Sequence, residues 1–291
     1  TLSTIHTTAG AVKTTRVEAA MDVVSHRGRV HWIGLLGYLS RQRWSQALTF
    51  DTDSTTDARH DVDADDGDTL VRGFSIDGTL ALFKEHSIHT MNGDADERGF
   101  TWQTASDKVA GIGAYCPWTA VSTPVGIIFL AENGIYVWRP GSGRPKLISG
   151  PDRQDPNAPS IQETLDGADY SRRLFFTAGY NPRERLYVVS FTSTGSTNDQ
   201  TWAYSIESGT WSRWSWGMGL IYPSTYGLFH NSSTVMKMYF GDTYGYVNET
   251  DTELGSDGPI SGTQTGTATA GSSTTITDSG ATFNTTGDDL A

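Results

Sequence analysis

The fold is decided by two near-copies of one unit, Ser75-Ile-Asp-Gly-Thr-Leu-Ala-Leu-Phe-Lys-Glu-His-Ser-Ile-His-Thr-Met-Asn-Gly93 and Val125-Gly-Ile-Ile-Phe-Leu-Ala-Glu-Asn-Gly-Ile-Tyr-Val-Trp138. In each copy a glycine opens a short apolar run, a polar pair or triplet follows, and a second apolar run returns. Asp-Gly and Asn-Gly supply the positive φ angles that tight hairpins need, so each copy predicts a strand, a turn and a strand. One hairpin cannot bury its apolar face, and two in tandem therefore indicate a stack of like units.

Similar units lie on both sides of this pair. Residues 22–34 predict two strands with a turn at Gly28, and residues 38–50 predict a further short pair of strands. Residues 170–216 repeat the pattern, with Leu174-Phe-Phe and Leu186–Phe191 as expected strands, and residues 220–247 repeat it again.

The second strands of the five units recur at similar intervals, with one longer spacing that includes residues 139–159. They centre near Trp32, Ala81, Ile128, Val188 and Tyr239. A spacing of roughly 50 residues is typical of four-stranded propeller blades. The sequence therefore predicts an all-β, β-propeller-like repeat of four-stranded blades.

The propeller is expected to occupy residues 21–252, between two extended arms. Residues 1–20 have little apolar periodicity and predict an arm, with a helix start conceivable at residues 16–21. Residues 253–291 are almost all Gly, Thr, Ser, Ala and Asp, and predict either an arm or the first strands of a second β domain. The acidic stretch 51–68 and the Pro- and Gly-rich stretch 139–159 are expected to be connections between blades.

Composition excludes several classes of protein. The net charge of −12 repels phosphate backbones, which argues against tight nucleic-acid binding. A single cysteine cannot form an internal disulfide, so a disulfide-stapled scaffold is excluded. The sequence contains no run of ~18 apolar residues, and membrane insertion of this segment is not expected.

Three phrases resemble sequences of bacteriophage virion proteins. They are Asp77–Gly93, Gly126–Trp138 and Trp202-Ala-Tyr-Ser-Ile-Glu-Ser-Gly-Thr-Trp-Ser-Arg-Trp214. The pattern of blades over residues 21–252 resembles the β-propeller proteins of the phage neck and tail, namely nozzle (tail tubular B) and packaged-DNA-stabilising components. The phrase Gly266–Phe283 resembles a module common in such structural proteins.

This resemblance implies a non-enzymatic structural role. The protein would form a homo-oligomeric ring around a DNA channel in the virion, after assembly in the cytoplasm of the host bacterium. Its partners would be copies of itself, the adaptor, the portal-side ring, fibres and passing DNA that it does not hold tightly. Loss of residues 51–68 is then expected to affect DNA retention or ejection but not folding.

Two alternatives stay open at this point. One is a carbohydrate-binding or sialidase-like propeller that uses the tryptophan cluster and the acidic loops. The other is a kelch-like interaction module, for which only the repeat length argues, since the paired glycines of that repeat are missing.

The most metal-like phrase is Asp61-Val-Asp-Ala-Asp-Asp-Gly67. Alternating aspartates gather oxygen ligands in calcium loops. Here the glycine falls one place late, and Arg72 stands where a bidentate glutamate belongs. A solvated acidic loop at the rim is therefore favoured over a calcium site.

The histidines are not spaced for a metal site. His86 and His89 lie three positions apart, which places them on opposite faces of a strand. They are expected to be turn and surface residues, and His26 and His31 are equally unsuited by their spacing within a hairpin.

Tryptophans suggest a sugar-stacking platform, but packing explains them better. Trp214 and Trp216 share one strand face while Trp211 lies on the other, and aromatics buried between blades are the commoner use. The phrase Ser205–Trp211 resembles the Asp-box turn of sialidases but lacks the aspartate and occurs once.

The remaining motifs are weak. Gly111-Ile-Gly-Ala lacks the third glycine of a phosphate loop, and Cys116 has no histidine nearby in sequence. The glycosylation sequons at Asn231, Asn248 and Asn284 are expected to be coincidental in so Thr- and Ser-rich a chain. The sequence thus predicts no catalytic, cofactor-binding or metal-ligating residue, and no cofactor.

Overall fold

Tight turns join the first two strands of the first two blades. Arg27 and Gly28 have φ angles of 48° and 72°, and Asp77 and Gly78 have φ angles of 51° and 74°. A type I′ turn needs a positive φ at both central residues, and its twist matches that of the flanking strands. Glycine at the second position accepts this conformation without a steric penalty.

This computed structural model describes residues 19–45, 59–92, 108–150, 160–215, 222–229 and 236–250 in full. For residues 2–8, 11–17, 101–102, 230, 270–271 and 276–277 it describes the backbone. The chain divides into two units, residues 1–250 and residues 251–291.

The first unit begins with a two-stranded hairpin and two blades. The hairpin pairs β1 (Leu2–Thr8) with β2 (Ala11–Val17). Blade 1 contains β3 (Ala20–His26), β4 (Arg29–Leu35), β5 (Tyr38–Trp44) and β6 (Arg59–Asp61), paired in that order. Blade 2 contains β7 (Leu70–Ile76), β8 (Thr79–Lys84), β9 (Ser87–Asn92), β10 (Thr101–Trp102) and β11 (Val109–Ala110), the last two both pairing with β9.

Three more antiparallel sheets follow. Blade 3 contains β12 (Cys116–Thr123), β13 (Gly126–Ala131), β14 (Gly134–Trp138) and β15 (Lys146–Leu147). Helix α1 (Gln162–Asp166) and a 3₁₀ helix (Tyr170–Phe175) lead to blade 4, with β16 (Thr177–Asn181), β17 (Leu186–Phe191), β18 (Gln200–Ser205) and β19 (Trp211–Trp214). Blade 5 contains β20 (Pro223–His230), β21 (Met236–Asp242) and β22 (Val247–Glu249). In the second unit, β23 (Ala270–Gly271) pairs with β24 (Ile276–Thr277).

The blades are arranged as in a propeller. The first strands of successive blades contact one another, from β3 to β7, β12, β16 and β20, and so form the inner wall. Each sheet packs its face on the next. The protein is therefore an all-β, propeller-like fold, and the five predicted second strands are confirmed as β4, β8, β13, β17 and β21.

Apolar clusters fill the spaces between neighbouring blades. Ile33, Leu70 and Leu82 belong to the cluster between blades 1 and 2, and Phe83 and Phe129 to the one between blades 2 and 3. The largest cluster joins blades 3 and 4 and also includes residues of α1, and a smaller one joins blades 4 and 5. Burying each large side chain of this kind stabilises the fold by ~1.5–3 kcal/mol, so the interfaces between blades supply most of the core.

Several local predictions were wrong. Residues 38–44 form one strand, β5, while residues 46–50 of the expected pair lie outside the described residues. The expected acidic loop contains β6, and the expected connection at 139–159 contains β15, the fourth strands of their blades. Leu174 and Phe175 lie in the 3₁₀ helix, and the strand begins only at Thr177.

The two expected arms also contain strands. Residues 11–17 and 20–26 are strands, so the conceivable helix start at 16–21 is wrong. The rest of 253–291 lies outside the described residues, as do residues 46–58, 151–159 and Trp216.

Candidate functional site

A cavity of about 520 Å³ lies where the first strands of blades 2 to 5 converge. Its wall comes from β7, β12, β16 and β20, and its rim from the 3₁₀ helix and the loop between β17 and β18. It is lined by Arg72, Phe74, Trp118, Ala120, Val121, Ser122, Leu174, Phe175, Phe176, Thr177, Ala178, Ser196, Thr197, Asn198, Ser224, Thr225, Tyr226 and Thr243. A concave site of this volume is of the size that holds a small ligand.

Three of the four wall strands are irregular where they reach the cavity. The strand register shifts beside Arg72 in β7, around Trp118 in β12 and at Ser224 in β20. A β-bulge bends its strand and changes the direction of a side chain, and bulges are frequent next to functional sites. In β12 Trp118 is exposed while Pro117 and Thr119 on either side of it are buried, because successive side chains of a strand point to opposite faces.

Arg72 is the one charged residue among those that line the cavity. Its Nη1 donates a hydrogen bond to Asp22 Oδ1 at 3.2 Å, and Asp22 Oδ2 accepts another from the Gly73 N–H at 3.0 Å. The guanidinium carbon lies 5.3 Å from the ring centre of Phe74 and 5.1 Å from that of Trp118. Arg72 is among the residues that line the cavity, and Asp22 is not.

Burial leaves the charge of Arg72 incompletely balanced. Desolvation lowers the pKa of the guanidinium, and the attraction of Asp22 opposes this shift without cancelling it. The group stays protonated, because an arginine does not lose its proton in a protein. Its buried Nε has no hydrogen-bond partner among the described residues.

The rim of the cavity is held by hydrogen bonds. Asn198 Nδ2 donates to the backbone carbonyls of Phe175 and Pro223, at 2.9 and 2.8 Å. Arg172 Nη2 donates to the Ser196 carbonyl at 3.1 Å. These contacts join the 3₁₀ helix, the loop after β17 and the start of β20 into one edge.

The lining combines exposed aromatic rings with hydroxyl groups. Trp118 is 41% exposed and Phe175 63% exposed, while seven serines and threonines offer hydroxyls. The lining residues include no aspartate or glutamate. The cavity is thus equipped to bind a ligand that has both an apolar face and polar groups. Its described lining residues do not supply the pair of carboxylates that most glycoside hydrolases use.

The sequence matches no protein-family model and no curated protein. Among solved structures, the chain is similar to one in a crystal structure of the mitotic checkpoint complex, with a TM-score of 0.42 and 10% sequence identity. The match covers 84% of this chain and 70% of the other. No functional property transfers from so distant a structure.

The described part of the acidic stretch, residues 59–68, is mostly exposed, as expected, but several of its carboxylates form ion pairs. Asp61 forms a two-point ion pair with Arg41, at 2.6 and 2.8 Å. Lys108 Nζ lies 2.6 Å from Asp63, and the fully buried Lys84 Nζ lies 2.6 Å from Asp66. The hydrogen bond from Lys108 lowers the pKa of Asp63.

Potential ligand atoms of Asp63, Asp66 and His89 lie within 4.8 Å of one another. The two lysine ammonium groups already neutralise both carboxylates, however. A metal ion is therefore not needed to balance the charge of this cluster.

His86 and His89 lie in different surroundings. His86 is at the exposed turn before β9 and lies 3.3 Å from Asp68, in line with the prediction. His89 was expected at the surface, which is wrong, because it is only 9% exposed. Burial lowers the pKa of His89 to about 4.

The structure brings His26 and His31 together, which their spacing did not suggest. Their ring centres are 5.9 Å apart and both side chains are buried. Desolvation lowers the pKa of His26 to about 4 and that of His31 to about 3. His26 Nδ1 lies 2.7 Å from Ser75 Oγ, so this pair belongs to the contact between blades 1 and 2.

The tryptophans pack between blades, as predicted. Trp211 is buried between blades 3 and 4, where Nε1 donates to the Ile148 carbonyl at 2.8 Å. Trp214 packs on the other face of β19, against the cluster between blades 4 and 5. The pair forms no common platform, and the phrase Ser205–Trp211 is the hairpin from β18 to β19.

Cys116 and Asn248 have structural surroundings. The thiol of Cys116 is fully buried, and desolvation raises its pKa, which opposes a nucleophilic role. Asn248 Nδ2 donates to Asp242 Oδ2 at 3.1 Å. Asn231 and Asn284 lie outside the described residues.

The sequence interpretation missed both principal residues of the cavity. Arg72 entered it only as a misfit in a calcium loop, and Trp118 was given no functional role. Neither residue belongs to a recognisable local motif of its strand, and the cavity also needs residues from other blades. The bulges that direct these side chains leave no periodic signal.

Proposed function

We propose that this chain is a structural component of a bacteriophage tail or neck, part of a head-to-tail connection ring around the DNA channel. The role is mechanical: rigid blades hold a ring of copies, and the acid excess keeps the passage from binding DNA tightly. The resemblance of three phrases to nozzle-type proteins and the propeller-like fold support it. The protein would act in the virion after assembly in the host cytoplasm, beside adaptor, portal-side and fibre proteins.

The observation that supports assembly most strongly is the position of exposed apolar side chains. Of fifteen large ones in the described part of the chain, four lie on blade 1 and six on blade 5. They include Val23 at 56% exposure, Phe229 at 59% and Val247 at 72%. The described strands of these two blades make little contact with each other. Concentrated apolar surface of this kind marks protein–protein contacts.

Electron microscopy of the full-length protein, alone and in its particle, tests this proposal. We expect rings with a central hole, in line with a tail or capsid vertex. Phe229→Asp should shift the protein from rings to single copies in mass photometry. Leu147→Asp, at an exposed apolar position on blade 3, is the matched control and should leave rings intact. Single copies of the unchanged protein, absent from any tail, would refute the assignment.

A second candidate, a carbohydrate-binding propeller, is favoured by the central cavity. Exposed rings and hydroxyl groups converge there, which is the equipment for stacking and hydrogen bonding to a sugar. A sialidase-like activity gains no such support. Its chemistry needs an arginine cluster, and Arg72 is the only arginine among the lining residues.

A further inference from the structure

We propose that the central cavity binds a sugar that carries a carboxylate group, such as a hexuronic acid, with Arg72 selecting the carboxylate and Trp118 stacking on the ring. This inference rests on the second candidate function and names its ligand class. It does not depend on the tail assignment.

The first argument concerns charge. Arg72 brings one positive charge to the cavity, whose described lining residues include no acidic side chain. Asp22 takes one side of the guanidinium from outside the cavity and leaves it incompletely compensated. A carboxylate in the cavity would supply a second counter-ion, and charge-assisted hydrogen bonds to arginine are among the strongest in proteins.

The second argument concerns the apolar side of the ligand. The Trp118 ring is 41% exposed and lies beside the guanidinium, 5.1 Å from it. Phe175 adds a second exposed ring at the rim. A pyranose has an apolar face formed by its C–H groups, and an exposed indole offers the flat surface that such a face needs.

The third argument concerns preorganisation. Asp22 fixes the guanidinium, and Asn198 fixes the rim through two backbone carbonyls. Strand irregularities place Arg72 and Trp118 at the cavity at the expense of regular pairing. Groups held in place before binding lose less entropy when a ligand arrives, so this wall is suited to a defined ligand.

The test compares two ligands that differ in one group. Methyl β-glucuronide has a carboxylate where methyl β-glucoside has a hydroxymethyl group. Binding of each to the full-length protein is measured by NMR titration at low salt. We expect the glucuronide to bind about tenfold more tightly or better, and this preference to shrink as salt rises.

Variants assign the preference to its residues. Arg72→Met keeps the length of the side chain and should abolish the preference, whereas Arg144→Met, at an exposed arginine of blade 3, should not change it. Trp118→Ala should weaken binding of both sugars. If Arg72→Met does not fold, as judged by circular dichroism, the Trp118 variant and the salt dependence still decide the matter.

The outcomes distinguish failure of the carboxylate preference from failure of the carbohydrate-binding candidate. Equal binding of the two sugars would overturn the carboxylate preference and leave the carbohydrate-binding candidate in place. Absence of binding of either sugar would overturn both. Competition by acetate as effective as that by the glucuronide would show a simple anion site and overturn the sugar assignment.

Discussion

Acidification from pH 7 to pH 5 is expected to destabilise this fold through its buried histidines. His26 and His31 lie together between blades 1 and 2, and His89 lies in blade 2. All three are buried, and desolvation lowers their pKa values to about 4, about 3 and about 4. Each is therefore neutral in the fold across this pH range.

The magnitude follows from the unfolded chain. There each histidine has a pKa of about 6.5, so between that value and its folded pKa only the unfolded state binds the proton. Stability that is fully present above pH 6.5 is lost as the pH falls. Because the folded values lie below pH 5, the loss down to pH 5 depends on the unfolded pKa alone, about 2 kcal/mol per histidine.

Three such histidines together remove about 6 kcal/mol, which is comparable to the whole stability of many domains. Aspartates do not contribute in this range, because their unfolded pKa of about 3.9 lies below it. The interval between pH 7 and pH 5 thus isolates the histidines.

Urea unfolding at pH 7 and pH 5, followed by circular dichroism at constant ionic strength, measures the loss. His31→Leu should reduce the difference in unfolding free energy between the two pH values by about 2 kcal/mol. Ile33→Val, a non-titratable core change in the same strand, controls for altered packing and should leave the difference unchanged. If His31→Leu and the unchanged protein lose equal stability, the assignment to His31 is refuted.

Three other substitutions test the contacts between and within blades. Asp66→Asn should lower the free energy of unfolding by about 3 kcal/mol in urea titrations, since it leaves the fully buried Lys84 ammonium without its carboxylate. Gly113→Ala should cost more than about 2 kcal/mol, because its added Cβ would lie 2.3 Å from a backbone oxygen, and a fall in melting temperature reports this. Trp211→Phe should cost about 1–2 kcal/mol in the same melts, through the lost hydrogen bond to the Ile148 carbonyl of blade 3.

The repeat of the fold could be predicted from sequence because it is local. Gly28, Gly78 and Gly134 mark turns whose strands are adjacent in the chain, and the buried second strands are the most apolar runs. The apolar second strand recurs in every blade, although the turn before it in blade 4 has no glycine. The period therefore identified the second strand of each blade before any tertiary contact was known.

The fourth strands could not be predicted because they are too short to carry a pattern. β6 has three residues and β15 has two, and each is defined by its pairing with the third strand of its blade. Leu174 and Phe175 were wrongly predicted to lie in a strand because of their apolar character. They are an apolar run, but they are exposed at the cavity rim, so their character reflects the site and not the core.

The cavity itself is a product of tertiary structure. Arg72, Trp118, Thr177 and Thr225 come from four different blades and meet only when first strands lie side by side. Residues about 50 positions apart have no pattern in common that would link them. The fold was thus predictable from periodicity, whereas the candidate site was not.

The acidic stretch shows how a charge run can have a structural role. Its loss was expected to spare folding, but β6 pairs with β5, Val62 is 2% exposed in the core between blades 1 and 2, and Asp66 neutralises buried Lys84. We therefore expect deletion of residues 59–68 to unfold blade 1, which circular dichroism would show as lost β signal. A folded deletion variant with unchanged melting temperature would contradict this.

Neutralising single charges distinguishes a structural role of the acidic stretch from the proposed channel role. Asp61→Asn and Asp63→Asn alter exposed ion pairs, which contribute only about 0–1 kcal/mol each, so both variants should fold. Particles assembled with them then test the channel directly, by the rate of DNA ejection. If that rate is unchanged while deletion of the stretch unfolds the protein, its acids serve to hold blades 1 and 2 together, and the channel role expected of this stretch is wrong.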